Sequence, residues 1–230
     1  MTNLPDRGTG DAAHAVVKAV AGMVPIAGSA LTVLLETVLA PPLERRREKW
    51  FRMLGAAVEQ LQQRVEGLSP EALSANEVFI TVVAQATQVA LRTHQDEKLN
   101  ALKAAVLNAG LPNPPADDLQ LMYVRFVDEL SPWHIRVLDL FSGPEQWMQR
   151  NGIQYPSWGM GGPSTVIEHC FPELRNQREF YEQIVRDLQS RGLVHQGQFL
   201  NTKMTGRGLV EARTSGLANA FLAFIARGAA

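Results

Sequence analysis

The chain has 230 residues, 46% of them hydrophobic and 20% charged, which is typical of folded globular proteins and not of disordered chains. Its net charge of -1 lacks the basic excess by which nucleic-acid binders are often recognised. The one cysteine, Cys170, excludes a disulfide within the chain, and residues 1–15 lack a clear secretory cleavage site. These features predict a cytoplasmic protein.

The N-terminal third poses a choice between a buried helix pair and a membrane segment. Residues 1–10 are predicted to be a disordered tail, followed by a helical domain over 11–130. Within it Ala19–Leu35 is a run of 17 residues without a charge, interrupted by Pro25. A membrane span needs about 20 apolar residues, so we expect two buried helices, about 11–24 and 26–40. Membrane insertion remains the alternative.

The next helices are predicted from apolar spacing and capping signals. A helix over about 43–67 has an apolar stripe at three- and four-residue steps, made of Trp50, Leu54, Val58, Leu61, Val65 and Leu68. Ser69-Pro70 predicts a helix start, and Ser74 with Glu77 predicts a capping box for the helix that follows. Further helices are expected over 95–109 and 119–130, separated by a loop.

The C-terminal region, residues 131–230, combines helices with strand-like segments. Ser131-Pro132 predicts a helix start, residues 142–163 a long aromatic loop with one helical turn near Glu145, and the segment after Pro163 a short helix. A capping box of Asn176 and Glu179 is expected to open an amphipathic helix that ends at Gly192. Its apolar face is predicted to comprise Phe180, Tyr181, Ile184, Val185 and Leu188.

Short strands are predicted after Gly192, at 193–195, about 199–200 and 209–213, with a final helix carrying Leu217, Phe221, Phe224 and Ile225. The order of elements and the phrase LQSRGLVHQGQ…GLVEARTSGLANAFLAFI resemble a winged helix over about 133–230. The predicted fold is therefore mainly α: an N-terminal helical bundle and a winged-helix-like α+β region with a small β-hairpin. Winged helices serve both DNA binding and protein docking.

A second resemblance covers about residues 30–141. The segments APPLERRREKWFRML, VFITVVAQATQVALRTHQDEKLNALKAAVLNA and YVRFVDELSPWHIRVLDLF follow a recurring plan. In it a proline-bounded charged helix precedes a helix pair, a lysine-containing helix and a Ser-Pro helix start. This plan is similar to that of bacterial abortive-infection proteins of the Abi-alpha type. The resemblance implies a role in defence against phage and assigns no catalytic residue.

No catalytic, cofactor-binding or metal-binding residue is predicted. The sequence contains no phosphate-binding loop with its lysine, no His-Glu-x-x-His and no Cys-x-x-Cys. The glycine-rich segment Gly159–Thr165 is the nearest approach to an anion site, through the backbone N–H groups of Ser164 and Thr165. Cys170 lies in an apolar helix and is expected to be part of the core.

Three functions remain. The first is a non-catalytic interaction or assembly protein, in which exposed aromatic residues of the 142–163 loop contact a protein partner or a second copy; they are Trp147, Tyr155 and Trp158. The second is a winged-helix DNA-binding regulator, with phosphate contacts from Arg178, Arg186, Arg191, Lys203, Arg207 and Arg213. Acidic residues on the same helix oppose it. The third is a membrane-active effector that uses residues 12–40.

Overall fold

The computed structural model describes residues 40–66, 68–197 and 200–226, which form a mainly helical protein with one small antiparallel sheet. The expected N-terminal tail and the two helices before residue 40 lie outside the described residues. The first five helices are α1 (Ala40–Arg64), α2 (Pro70–Ser74), α3 (Glu77–Arg92), α4 (Asp96–Ala109) and α5 (Asp117–Glu129). None of the described helices is long and apolar enough to cross a membrane.

The second group of elements is shorter. Its helices are α6 (Pro132–Ser142), α7 (Pro144–Arg150), α8 (Pro163–Cys170), α9 (Arg178–Ser190), α10 (Gly206–Leu209) and α11 (Gly216–Ile225), with one 3-10 turn at Pro172–Leu174. The strands are β1 (Met160–Gly161) and β2 (Met204–Thr205), which pair antiparallel. The helical turn expected near Glu145 in the 142–163 segment is present as α7, which has seven residues.

Helix α1 packs against α3 and α4, as its apolar stripe predicts. Trp50 and Leu61 are fully buried, and the indole N–H of Trp50 donates to Thr87 Oγ1 at 2.9 Å. At the other end of the pair, a Cβ added to Gly110 would lie 2.6 Å from Leu61 Cδ1 and 3.2 Å from Phe79 Cε2. The two contacts show that α1 and α3 run antiparallel.

The structure confirms one of the predicted helix caps near α2 and α3, and another is wrong. Ser69 caps α2, because its side chain accepts from the Ala72 backbone N–H at 3.2 Å. The expected Ser74–Glu77 box is wrong. Ser74 belongs to α2 and donates to the Glu71 carbonyl, while the side chain of Asn76 accepts from the Phe79 N–H and caps α3.

Helix α11 joins the end of the described chain to the first half of the molecule. Phe221 contacts the rings of Tyr123 and Phe126 at centroid distances of 5.8 and 5.4 Å, and Phe224 lies 5.3 Å from Tyr123. The Asn108 side chain donates to the Phe224 carbonyl at 2.7 Å. Buried hydrophobic residues from Trp50 to Ile225 form one core, so the boundary expected at 130/131 stays a prediction.

Helix α9 differs from its expected form at the N-terminal end. Tyr181, Ile184, Val185 and Leu188 are buried as predicted, whereas Phe180 is 43% exposed. The expected Asn176–Glu179 cap is wrong, since Asn176 has a φ of 65° and the helix begins at Arg178 without a side-chain cap. Gly192 ends the turn after the helix with a φ of 67°, where glycine avoids the strain of a side chain.

The extended segments are only partly those expected. Val194 and Thr214 form an antiparallel bridge, and His195 N–H donates to the Arg213 carbonyl at 3.0 Å. The strand expected over 209–213 is wrong at its start, because Thr205 caps α10 by accepting from the Gly208 N–H. The strands of the sheet are also distant in sequence, since β1 precedes α8 and β2 follows α9.

Candidate interaction surfaces

The outer flank of α1 is the first surface with a large exposed apolar side chain, that of Phe51. Lys49 lies on the opposite flank, where it pairs with Asp96 at the start of α4. Phe51, Leu54 and Val58 follow one another at three- and four-residue steps and therefore share a flank that turns away from α4. Trp50, next to Phe51, contacts Thr87 of α3, and the Lys49 flank faces α4, so the Phe51 flank lies on the α3 side of α1.

Helix α3 contributes the other wall. Thr87 touches α1 through Trp50, and Ile80 lies seven residues earlier, almost two full turns along the same flank. Val83 lies between them and is half-buried against the core. Since the helices are antiparallel, Ile80 lies at the level of Val58. We call the surface formed by Phe51, Leu54, Val58, Ile80 and Val83 the α1–α3 groove.

The groove is open to solvent among the described residues. Phe51 is 48% exposed and Ile80 is 42% exposed, whereas Leu54 and Val58 are half-buried against the core. Arg47 lies over the Phe51 ring at 5.8 Å, and Leu43 continues the apolar surface toward the start of α1 at 37% exposure. Large apolar side chains gathered on one face are typical of a surface that binds another apolar element.

Sequence patterns did not identify this groove. The stripe through Trp50 and Leu61 marks the buried face of α1, and Phe51 lies about 100° around the helix from Trp50. The Leu43, Arg47, Phe51 spacing was the available signal, since four-residue steps continue the apolar surface past the buried stripe. Its exposure depends on which flanks α3 and α4 cover, which only the packing reveals.

The aromatic residues of the 142–163 segment are mostly engaged within the chain. Trp147 is only 8% exposed and contacts the Phe171 ring at 5.1 Å, so the expectation of an exposed Trp147 is wrong. Trp158 lies edge-on between Tyr155 and His169, at 5.4 and 5.3 Å. Tyr155 is 40% exposed. Its hydroxyl nevertheless donates to the Gly206 carbonyl at 3.1 Å.

Through these contacts the aromatic segment stabilises the C-terminal region. Gly206 N–H donates to the Gly159 carbonyl at 3.2 Å, beside the β1–β2 pair. A Cβ added to Gly206 would lie 2.2 Å from the Trp158 carbonyl oxygen, so the two backbones approach as closely as glycine permits. Met160, 69% exposed, is the most exposed large apolar side chain of this region.

Three of the candidate phosphate-binding arginines are already paired with acceptors. Arg178 donates to Glu182 at 2.7 Å and also to the Asn201 side chain. Arg186 donates to Gln183 at 3.0 Å, and Arg191 lies 3.3 Å from Glu129. Carboxylates beside a basic group offset the charge that would attract phosphate. The face of α9 is therefore close to balanced in charge.

The other three candidate phosphate-binding residues, Arg213, Lys203 and Arg207, differ in their exposure to solvent. Arg213 donates to the Gly208 carbonyl at 2.6 Å, and burial lowers the pKa of its guanidinium, so it is part of the local structure. Lys203 and Arg207 are exposed and form no ion pair with any residue that the structure describes. Asn201 links the segment before Lys203 to Arg178 at the start of α9. Two exposed cations thus follow Asn201 along the chain, at positions 203 and 207.

A hydrogen-bonded Ser-His-Asp chain connects α6 with α9. His134 Nδ1 lies 2.7 Å from Ser131 Oγ and accepts the Ser131 backbone N–H at 3.2 Å, while Nε2 lies 3.2 Å from Asp187 Oδ2. A ring nitrogen that accepts a backbone N–H carries no proton, so Nε2–H donates to Asp187. Burial lowers the pKa of His134, and hydrogen bonding to Asp187 opposes that shift.

This chain has the geometry of a helix cap. The Ser131 side chain also accepts from the His134 backbone, which completes a capping box with histidine in the third helical position. The lone pair that a catalytic histidine would direct at a serine hydroxyl is here shared with a backbone N–H. The arrangement therefore stabilises the start of α6 and positions α9 beside it.

The glycine-rich segment and Cys170 are both part of the local structure. In the glycine-rich segment, Ser164 N–H donates to the Leu200 carbonyl and Thr165 N–H to the Gly162 carbonyl, at 3.2 and 2.9 Å. Both groups proposed for an anion are therefore engaged. No group of three or more potential metal ligands occurs in the described ranges. Burial raises the pKa of the Cys170 thiol to about 12, which suits a core cysteine.

Comparison with family models, with curated proteins and with solved structures found no match to this chain. Function is therefore inferred from the surfaces themselves.

Proposed function

We propose that this chain is a non-catalytic, cytoplasmic interaction protein whose α1–α3 groove binds an apolar helix. The exposure of Phe51 and Ile80 beside half-buried Val58 and Val83 carries this proposal. Bulky apolar anchors within a groove between two helices are the usual features of helix-in-groove recognition. Since Phe51 and Ile80 are 48% and 42% exposed, burying the rest of each side chain on binding would contribute roughly half of the 1.5–3 kcal/mol of full burial.

The C-terminal region is proposed to be a winged helix that docks protein. Helices α8 and α9 precede two extended segments bridged through Val194 and Thr214, which is the order of elements in that fold. The near balance of charge on α9, where Glu182 accompanies Arg178 and Arg186, favours docking over DNA binding. The assignment of the C-terminal region to the winged-helix fold is part of this proposal.

DNA binding is the second candidate, and the exposed pair Lys203 and Arg207 favours it. Both lie on the segment that follows the Arg178–Asn201 contact. A titration of labelled mixed-sequence duplex DNA, at low and at moderate salt, decides between the two. We expect no saturable binding. Binding that weakens steeply with salt and is lost in Lys203→Glu/Arg207→Glu would establish the DNA-binding alternative.

The cellular role proposed is defence against phage, which follows from the Abi-alpha resemblance of residues 30–141. The test is the plating efficiency of a phage panel on bacteria that express the full chain. We expect protection that Phe51→Asp or Ile80→Asp lowers, because a carboxylate in the groove opposes burial against an apolar helix.

The matched control is Gln63→Asp, because Gln63 is exposed on the same helix as Phe51 and lies about 120° around it, outside the groove. All variants are compared at equal soluble protein levels. Protection retained by both groove variants would refute the role of the groove, and no protection by the wild type against any phage in the panel would refute the defence role.

A further inference from the structure

The outer face of α3 carries no charge. Residues 78–91 lack charged side chains, although four of them are exposed: Ile80, Thr81, Ala84 and Gln88. A helix face in contact with water usually carries charged residues, whereas a face of small and apolar side chains lets another element pack closely against it. The outer face of α3 is therefore suited to pack against a second uncharged surface.

The adjoining face of α1 is apolar along one edge and carries opposite charges along the other. Phe51, Arg52, Gly55, Val58 and Glu59 lie within about 120° of the helix circumference. Arg52 and Glu59 are exposed, and neither is in an ion pair with another residue that the structure describes. About 10 Å of helix separates the two, so they do not pair with each other. The cation thus precedes Gly55 and the anion follows it.

These positions are nearly symmetric about Gly55. Phe51 and Val58 lie four residues before it and three after it, and Arg52 and Glu59 lie three before it and four after it. A twofold axis that crosses α1 at Gly55, at a right angle to the helix, places a second α1 antiparallel to the first. Phe51 of each copy then meets Val58 of the other, and Arg52 of each copy meets Glu59 of the other. The face is therefore complementary to itself in both shape and charge.

Small side chains lie where this axis crosses the two helices. A Cβ added to Gly55 would meet nothing within 4 Å in the chain, and Ala84, four residues after Ile80, lies near the level of Gly55. Glycine destabilises a helix interior relative to alanine, but it permits another backbone to approach closely. Two copies of the uncharged α3 face would lie beside the paired α1 helices without repulsion.

We propose that the α1–α3 groove binds helix α1 of a second copy, in a twofold symmetric dimer centred on Gly55. Phe51 of each copy lies between Val58 and Ile80 of the other, because Ile80 is at the level of Val58 on the adjoining helix. The inference rests on the proposed function, since it names the helix that the groove binds. Arg52 and Glu59 set the antiparallel register, as complementary charges do at interfaces.

Charge reversal in the purified full chain tests this register. Arg52→Glu brings a carboxylate against Glu59 of the other copy, and Glu59→Arg brings two guanidinium groups together. We expect each change to raise the dissociation constant of the dimer by about tenfold or more, because like charges in contact oppose binding. We expect Arg52→Glu/Glu59→Arg to return it to within about threefold of the wild type. Sedimentation velocity at low ionic strength, where exposed charges are least screened, measures the constant.

Arg64→Glu is the matched control, since it reverses the same charge on the same helix, about 120° around from Arg52. We expect Arg64→Glu to dimerise as the wild type does and Phe51→Asp to be monomeric, with the helix content of every variant checked by circular dichroism. A wild type that stays monomeric up to about 100 μM would overturn the proposal in favour of a different helix in the groove. A double charge reversal that dimerises no better than the single ones would overturn it as well.

Together with the phage assay, these measurements separate the dimer from the function. If the wild type is monomeric while Phe51→Asp still abolishes phage protection, the groove functions and the dimer is refuted. If Phe51→Asp breaks the dimer while protection remains complete, the dimer stands and the proposed function is refuted.

Discussion

The α1–α3 groove and the 142–163 segment both carry large apolar side chains, but most aromatic rings of the segment pack within the chain, whereas Phe51 and Ile80 in the groove are 48% and 42% exposed. In the aromatic segment Trp147 packs on Phe171, Trp158 lies between two rings, and the Tyr155 hydroxyl reaches a backbone carbonyl. In the groove, Arg47 lies over the Phe51 ring at 5.8 Å, and the ring is still 48% exposed. The density of aromatic residues in a sequence therefore indicates where packing is concentrated, and exposure must be learned from the fold.

The largest effect that separates the two regions is expected from Trp147→Ala. Removing this buried ring from its contact with Phe171 leaves a cavity, and we expect the free energy of unfolding to fall by about 3–5 kcal/mol. Urea denaturation measures it. Phe51→Ala should cost far less, because its ring is already 48% exposed. Equal losses for the two variants would show that the groove is part of the core.

A smaller loss in the free energy of unfolding is expected when a methyl group is added at the contact between the aromatic segment and α10. Gly206→Ala places a Cβ 2.2 Å from the Trp158 carbonyl oxygen, and overpacking against backbone costs about 1–3 kcal/mol. Gly159→Ala is the control, since its added Cβ would meet nothing within 4 Å. The two melting curves are compared directly. A Gly206→Ala curve that overlays the control would show that the close contact between Gly206 and Trp158 does not contribute to stability.

The cap at α6 predicts a pH dependence. The folded-state pKa of His134 lies below its ordinary value of 6.5, so the unfolded chain binds the proton more readily. The stability that neutral His134 contributes is complete above about pH 6.5 and is lost as the pH falls toward the folded-state pKa.

His134→Gln removes this titration and keeps a side chain that can accept the Ser131 N–H, as glutamine does in capping boxes. We expect the free energy of unfolding of the wild type to fall more than that of His134→Gln between about pH 7 and pH 5. Parallel pH profiles for the two proteins would show that His134 does not titrate in this range.

The smallest effect is expected at the exposed cations. Lys203→Ala/Arg207→Ala removes two side chains that pair with no acid among the described residues, so stability should change by less than about 0.5 kcal/mol. Thermal unfolding checks this. A larger loss would show that these side chains hold the segment before α10 and would weaken their use as reporters of DNA binding.

Helix positions could be predicted from the sequence where a local signal decides them. The apolar stripe of α1 and the cap at Ser69 depend on residues three to four positions apart, and both are present. The Asn176–Glu179 cap failed because a residue with positive φ precedes α9. Ser74 was misassigned because α2, a five-residue helix, holds it.

The surfaces were less predictable, since they depend on contacts between distant residues. Trp147 is buried because Phe171 lies against it, 24 positions later. Fewer of the candidate phosphate-binding arginines are available for a similar reason. Arg191, for example, pairs with Glu129, which lies on another helix. The groove escaped prediction for the converse reason, because nothing in the local pattern shows which flank of α1 remains uncovered.

The packing of α11 sets the order in which the protein can be completed during synthesis. Tyr123 and Phe126 emerge from the ribosome well before Phe221, which covers them. At 5–20 residues per second this interval is on the order of 10 s, during which two aromatic rings of the first half lack their partner. A nascent chain stalled before residue 216 would therefore be a natural client for chaperones, although every helix from α1 to α5 had already been synthesised.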